Sequence, residues 1–396
     1  MKVLVTGGAG FIGSHTAEAL LARGDSVVVV DELNDYYDLS QKMANIDILK
    51  AKAAETGSQF QFFQADCADM TSMTTIFELE RPDVVCHLAA RAGVRPSIKD
   101  PHIYVHSNIQ ATVTMLEMAR QFGVSNFVYA SSSSVYGANT KIPFAEDDTT
   151  ENTVSPYAAT KKACEIMAKT YHSLYKINVT GLRFFTVYGP RGRPDMAPWM
   201  FVEKISSGSP INKYGDGSSC RDYTYIDDIV SGVLASIDKP HPCEVFNLGN
   251  SQTINLNGFI EVIEDVVGKK ALIKQLPDQP GDVPLTYADL TKSSRMLGYR
   301  PQTSLREGMS KFVEWYRHFR VQSQVQSRPT NSAACHASDK TAQGKLKRSL
   351  EIEVYTPEAS CLASKRRQVI SQLATPPLSP KQVVNWQSDA PLRLPN

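Results

Sequence analysis

The stretch KVLVTGGAGFIGSHTAEALLARGDSVVVVD, residues 2–31, decides the fold. KVLVT (2–6) is a short β-branched run of the kind that forms a buried strand. Glycines follow, and FIGSHTAEALLARG then carries apolar residues at helical spacing as far as Gly24, a stop signal. SVVVVD (26–31) is a second buried-type strand. Gly7, Gly10 and Gly13 therefore stand between a strand and a helix in the spacing G-x-x-G-x-x-G. With no Cβ at such a turn, the backbone can approach a pyrophosphate at the helix N-terminus. Asp31 closes the second strand 18 residues after Gly13. A carboxylate there accepts from a ribose 2′-OH and repels a 2′-phosphate, so the reading is NAD in preference to NADP.

Working outward, FQFFQAD (60–66), DVVCHLAA (83–90), NFVYASSS (126–133) and VTGLRFFTVYG (179–189) read as further strands, with helical patterns between most of them. The alternation predicts an α/β fold: a Rossmann-type doubly wound parallel sheet covered on both faces, with right-handed crossovers. Asp66 ends the third strand, as an acceptor for an adenine amine or as a plain turn aspartate. Beyond about residue 190 the alternation weakens and Pro and Gly rise. That predicts a smaller, mixed C-terminal substrate lobe ending in the helix SLREGMSKFVEWYRHF (304–319), with Ser304 as N-cap and Glu307 at the capping-box position. The expected boundaries are 1–180 for an NAD-binding domain, with part of 222–255 returning to it, 181–320 for the second lobe and 321–396 for a tail.

Composition narrows the class. The chain has 396 residues, 42% of them hydrophobic, and a formal net charge of +1, which suits a globular protein and argues against a nucleic-acid binder. No apolar run approaches bilayer length, and the chain starts directly at its first strand, so the expectation is a soluble cytoplasmic protein without a membrane anchor. Seven cysteines with no C-x-x-C pair read as reduced thiols, with neither zinc site nor disulfide framework. From Gln322 onward 10 Lys and Arg face 5 Asp and Glu, aromatics are few, and the segment reads as a mostly disordered basic tail.

SPYAATKK (155–162) places Tyr157 and Lys161 on one helical face. Chance supplies roughly one Tyr-x-x-x-Lys in a chain of this composition, so the setting must decide. Ser155 can cap the helix and Pro156 suits its first position. The helix dipole, the Lys161 charge and a bound nicotinamide ring would all push the Tyr157 phenol down toward a useful general base. SSSS (131–134) ends a strand at the sheet's carboxyl edge, where a serine can bond the same substrate oxygen.

These residues resemble the extended short-chain dehydrogenase/reductases. Their pattern is the glycine triplet, an acid after strand two, Ser/Thr-x-x-Val-Tyr-Gly, and Tyr-x-x-x-Lys; the third element stands at 132–137. The match implies Ser132, Tyr157 and Lys161 as catalytic groups, with Ser133 and Ser134 as possible substitutes for Ser132. It further implies cofactor contacts at Gly7, Gly10, Phe11, Ile12, Gly13, Asp31, Asp66, Leu88, Ala89, Ala90 and Asn108. DELNDYYD (31–38), HLAARAGVRPS (87–97), RFFTVYGPRGRPDMA (183–197) and GSSCRDYTYIDDIV (217–230) look like the UDP-glucuronate 4-epimerases. Thr186-Val187 stands where UDP-galactose epimerases typically have Asn-Pro, and Arg91 where the family usually has Gln. The chemistry implied is removal of the C4 proton by Tyr157, transfer of C4 hydride to NAD⁺, and its return to the other face of a 4-keto sugar. Ser133, Ser134, Thr186 and Arg193 are then the candidates for the uronate carboxylate, and Arg95, Arg221 and Asp282 for the UDP moiety. For Arg95 and Arg193 a surface or interlobe ion pair is the alternative. A UDP-glucuronate decarboxylase would use the same triad, and a cofactor-binding scaffold is the reading from another class. The family also implies a homodimer through a helical bundle built from about 101–122 and 156–176.

Overall fold

The computed structural model describes residues 1–277 and 283–326. In chain order the strands are β1 (Lys2–Thr6), β2 (Ser26–Asp31), β3 (Phe60–Gln64), β4 (Val84–His87), β5 (Asn126–Ala130) and β6 (Val179–Phe184), then β7 (Thr186–Tyr188), β8 (Ile211–Tyr214), β9 (Cys220–Tyr225), β10 (Cys243–Leu248), β11 (Thr253–Asn255) and β12 (Ile273–Leu276). The first helices are α1 (Phe11–Ala22), α2 (Leu39–Thr56), α3 (Met70–Glu80), α4 (Val94–Lys99), α5 (Pro101–Tyr104) and α6 (Ala111–Phe122). The later ones are α7 (Pro156–Tyr175), α8 (Ala197–Ser207), α9 (Ile226–Asp238), α10 (Leu256–Val267), α11 (Thr291–Leu297) and α12 (Leu305–Gln326).

The central sheet has the order β10-β6-β5-β4-β1-β2-β3, with every pair parallel. Its strands are apolar on both sides because both faces are covered. Val27 and Val29 of β2 join α1 and α9 through Leu20, Leu21, Ile229 and Val233. Val28 and Val30 point the other way, toward Met73 and Phe77 of α3 and Met115 of α6. The chain order reverses between β1 and β4, and a crevice at such a switch point opens at the carboxyl ends of the strands.

Four expected strands end early, β3 among them, which stops at Gln64 short of Asp66. β4 stops at His87 and β5 at Ala130, so 88–90 and 131–134 leave the sheet. The run 179–189 is two strands, broken at Phe185, whose side chain packs against Tyr136, Phe144 and Ala288. Thr186–Tyr188 then pairs with Tyr223–Tyr225 in a separate mixed sheet, β11-β9-β7. Trp199 and Phe201 of α8, Phe259 of α10 and Phe312 of α12 fill the core beside it. Ser304 caps α12, accepting from Glu307 N–H at 3.3 Å, and that helix runs on to Gln326. The expectations for Asp282 and for the tail from 327 lie outside the described residues. Among the described residues no helix is long and apolar enough to cross a membrane.

β6 and α7 are joined by a buried ion pair. Arg183 Nε and Nη2 reach Glu165 Oε1 and Oε2 at 2.8 and 2.9 Å, and Ser131 Oγ donates to Oε1 at 2.7 Å. Burial pushes the Glu165 carboxyl up, but Arg183 and Ser131 outweigh it and hold it below the usual range. Glu165→Ala leaves the guanidinium buried and uncompensated, and should cost about 3–5 kcal/mol at neutral pH by denaturant titration. Because the folded carboxyl is depressed, its contribution is present above the ordinary value of 4.5 and is lost as pH falls further. The gap between wild type and variant should therefore narrow in acid; a constant gap would remove the pair from this role.

Candidate active site

The residues after β1, β4, β5 and β6 line one cavity of about 1450 Å³. At its base is the glycine turn. Gly7 takes φ 67°, and a Cβ on it would lie 2.8 Å from Ala89 Cα. A Cβ on Gly13 would overlap the Gly7 carbonyl oxygen. Helix α1 therefore sits close against β1 and the loop after β4. Its N-cap, Gly10, offers no side-chain cap, so the first N–H groups of Phe11, Ile12 and Gly13 lack intrahelical partners beside the cavity those residues line. Such an end favours an anion. Asp31 lines the same cavity and is buried, accepting from Ala9 N–H at 3.1 Å and Leu33 N–H at 2.9 Å. Burial raises its carboxyl, against the Lys42 charge and the two backbone donors. An uncapped helix end, a turn with no room for Cβ atoms and a carboxylate after β2 fit the pyrophosphate and ribose of a dinucleotide.

Asp66 lines the cavity with Oδ2 2.7 Å from His106 Nε2, and this contact raises the imidazole above its ordinary value. Leu88, Ala89 and Ala90 form part of the wall. Asn108 does not. It lies in the π-helical stretch Val105–Gln110, fully buried, with Oδ1 accepting from Arg91 N–H at 2.8 Å and Nδ2 donating to Arg91 O and Thr160 Oγ1 at 3.1 and 2.9 Å. Its amide is spent on fixing the loop that lines the cavity, a role the contact expected for it did not include.

Ser132, Tyr157 and Lys161 meet beyond the end of β5. Ser155 caps α7, accepting from Ala158 N–H at 3.1 Å, with Pro156 in the first turn. The Tyr157 N–H donates to Ser97 Oγ at 3.1 Å, the Ser132 side chain lies close enough to the Tyr157 phenol to lower it, and Lys161 Nζ donates to Ala130 O at 2.8 Å. The expected depression of the phenol is not what these groups produce. Tyr157 is raised, because burial outweighs the Ser132 hydrogen bond and the Arg193 charge. Burial likewise lowers Lys161.

Ser133, Ser134, Thr186, Arg95, Arg193 and Arg221 all line the cavity. Arg193 is already engaged: Nε and Nη2 hold the Asp195 carboxylate at 3.0 and 2.6 Å, and Nη2 also donates to Tyr36 Oη and Ala92 O, each at 3.2 Å. Arg95 lies over the Tyr214 ring at 4.9 Å, and Arg221 Nη1 donates to Cys220 O at 2.9 Å. Sequence reasoning missed Tyr36, Lys42 and Asp195 in this wall, which Arg91, noted from sequence as a departure from the family, also lines. Arg91 and Arg193 stack over Tyr36, at 4.6 and 5.2 Å from its ring. DELNDYYD was the one signal for Tyr36, and only Asp31 was drawn from it.

A doubly wound sheet with this glycine turn and this hydroxyl–phenol–amine set defines a dinucleotide-dependent short-chain dehydrogenase/reductase. Residues 4–312 match the model described as GDP-mannose 4,6 dehydratase, and the chain belongs to that NAD-dependent epimerase/dehydratase family. It is 44% identical over 313 residues to a UDP-glucuronate 4-epimerase of Thermodesulfobacterium geofontis, covering 79% of this chain and 95% of that one. It is 44% identical over 336 residues to UDP-glucuronate 4-epimerase 4 of Arabidopsis thaliana, covering 80% and 75%. Among solved structures, UDP-glucuronic acid 4-epimerase from Bacillus cereus, in complex with UDP-glucuronic acid and NAD, superposes with a TM-score of 0.75 at 36% identity. That match covers 81% of this chain and all of the other.

Gly13→Ala should force α1 off the loop. The expected outcome is a purified protein with at least ~10-fold less bound dinucleotide, read by absorbance after acid release. Full retention would show that the turn tolerates a Cβ.

Proposed function

We propose that the chain is an isomerase that interconverts UDP-glucuronate and UDP-galacturonate by NAD-dependent epimerisation at C4, through a transient 4-keto sugar. One observation carries this reading: the Ser132–Tyr157 pair, the glycine turn, and the group Ser133, Ser134, Thr186 and Arg193 share one cavity. When bound, NAD⁺ supplies a reversible two-electron acceptor. Gly7, Gly10, Phe11, Ile12 and Gly13 hold its pyrophosphate, Asp31 its adenosine ribose, Asp66 its adenine, and Leu88 to Ala90 pack along it. Tyr157 Oη takes the proton of the C4 hydroxyl and later returns it, while Ser132 Oγ polarises the C4 oxygen. Lys161, on Ala130 O, sits one helical turn from the phenol and holds the nicotinamide ribose.

The uronate brings a hazard, because its 4-keto form is a β-keto acid. Decarboxylation needs the C5–carboxylate bond perpendicular to the carbonyl plane. Ser133, Ser134, Thr186 and Arg193 keep the carboxylate out of that alignment, and Arg95 and Arg221, with Asp282, hold the UDP portion. The nucleotide half is 1–180 with the rest of β6 and with α9 and β10 returned to its sheet, and the remainder of 181–320 forms the substrate lobe. Free thiols at Cys67, Cys86, Cys164, Cys220 and Cys243 support a cytoplasmic setting. A homodimer is supported by exposed apolar residues along the expected helices, Val105 (49%) and Ile166 (55%) among them.

Purified protein incubated with UDP-glucuronate, without added NAD, should yield UDP-galacturonate by NMR. A pentose product with CO₂ would overturn the reading in favour of decarboxylation. Tyr157→Phe should lower kcat by ~10²–10⁴ while bound NAD stays at the wild-type level; retained turnover removes Tyr157 from proton transfer. Light scattering should give a dimer for the wild type and a monomer for Ile166→Glu. A monomeric wild type would end the dimer proposal.

A further inference from the structure

Arg191 stands out in the turn after β7. It is buried, and its φ of 61° lies in the left-handed region that non-glycine residues avoid. Such backbone persists only where its surroundings enforce it, and it gathers at functional sites. Two helices of the nucleotide half do the enforcing. From α1, Glu18 Oε2 accepts from Arg191 Nη2 at 2.5 Å, and His15 Nδ1 lies 2.7 Å from the same nitrogen. His15 Nε2 is 2.9 Å from Pro190 O and 3.0 Å from Arg191 Nε, and one imidazole nitrogen cannot serve both as donor and as acceptor. The tautomer with hydrogen on Nε2 donates to Pro190 O and leaves Nδ1 to accept from Arg191. Burial, with the neighbouring guanidinium, lowers His15 to about 3, so the ring is neutral. From α2, the buried Gln41 Nε2 donates to Arg191 O at 2.8 Å and Gly192 O at 3.0 Å.

The turn is tight as well as tethered. Gly192 N–H donates to Gly189 O at 3.1 Å, and a Cβ on Gly192 would lie 2.8 Å from that oxygen and 3.8 Å from the Phe11 ring. Phe11 opens α1 and lines the cavity, and its ring meets His15 edge-on at 5.9 Å. The next residue after this turn is Arg193, which also lines the cavity. One face of α1 therefore borders the nucleotide turn, while His15 and Glu18 grip the chain immediately before Arg193.

We propose that the turn 190–192 is a latch in which Arg191, held by His15, Glu18 and Gln41, acts as a positioning residue for Arg193, setting the preference for a uronate over a neutral sugar. This rests on the epimerase reading, which makes the substrate carboxylate the ligand of Arg193. Arg191 touches no substrate; it acts through the backbone. Loosening the latch shifts the Arg193 guanidinium but leaves the UDP-facing residues Arg95 and Arg221 where they are. Recognition of the carboxylate should weaken while recognition of the nucleotide does not. The 4-keto intermediate, less well held, should also lose more CO₂.

Two substitutions separate positioning from folding. Arg191→Met keeps volume and removes charge and donors; Gln41→Met removes the two donors to the turn and introduces no charge. Calorimetry on the NAD-loaded proteins should show UDP-glucuronate binding weakened ~10-fold in either variant, with UDP-glucose binding changed less than ~2-fold. Arg191→Lys should recover part of the loss, and NMR should show a larger pentose fraction from both methionine variants. If Arg191→Met does not fold, Gln41→Met carries the test. Equal weakening of both sugars, or no weakening of either, overturns the latch. Wild-type protein that binds both sugars alike overturns the uronate reading itself, which is a different result from a wild-type preference that survives the substitutions.

Discussion

No side-chain atom fits between residue 13 and the Gly7 carbonyl oxygen, and the rest of the site depends on that close approach. Because hydrogen alone stands at Gly13, the first turn of α1 lies directly against the end of β1. Its uncapped N–H groups then border the cavity instead of protein. The same placement carries Ala17, Leu20 and Leu21 onto Val3, Val5 and Val29, so the glycine contact and the core of that face are one arrangement. It also sets the height of His15 and Glu18, the residues that grip the 190–192 turn. A displacement of α1 would thus be felt at the nucleotide turn, at the core and at Arg193 together.

Desolvation governs the chemistry of the site. Tyr157, Lys161 and Asp31 are all buried, and in each the burial works against the charged form. A phenol that the chain's own groups leave raised does not hold a standing negative charge in the cavity. Ser132 and Arg193 are the chain's own groups that act against that rise. The dipole and lysine arguments from sequence pointed to a lowered phenol, and the structure raises it. They lacked the burial, which no spacing of residues reveals.

The parallel sheet was legible because its signals are local. KVLVT and SVVVVD are strands over the lengths read, since a run buried on both faces shows as continuous β-branched residues. Ser155 and Pro156 announced α7 because capping is a property of adjacent residues. The break at Phe185 was hidden for the converse reason: VTGLRFFTVYG stays apolar through the point where the chain changes sheets. Asn108 sits in a π-helical stretch with its amide on Arg91 and Thr160, a placement that no spacing of residues shows. Tyr36 and Asp195 were missed because they meet across 159 positions of chain, where the Tyr36 hydroxyl joins the Asp195 carboxylate and the Arg193 guanidinium.

The pairing of Arg193 with Asp195 bears on how a uronate is distinguished. A lone buried guanidinium would attract any anion strongly and would be costly without one. Paired, it presents a nearly neutral group whose Nε and Nη2 donors are turned toward Asp195, Tyr36 and Ala92 O. Under the proposed reading, a carboxylate entering beside it meets a guanidinium already held in one orientation, and the hydroxyls of Ser133, Ser134 and Thr186 line the same cavity to share its recognition. Hydroxyls left without a partner by a neutral sugar impose a penalty of about 1–3 kcal/mol each when buried. Orientation matters more under this scheme than total charge does. Short hydroxyl bonds fix the plane of a carboxylate, and that plane decides whether a 4-keto uronate keeps its CO₂. A site that relied on a free arginine could bind the uronate more tightly and still hold it at the wrong angle.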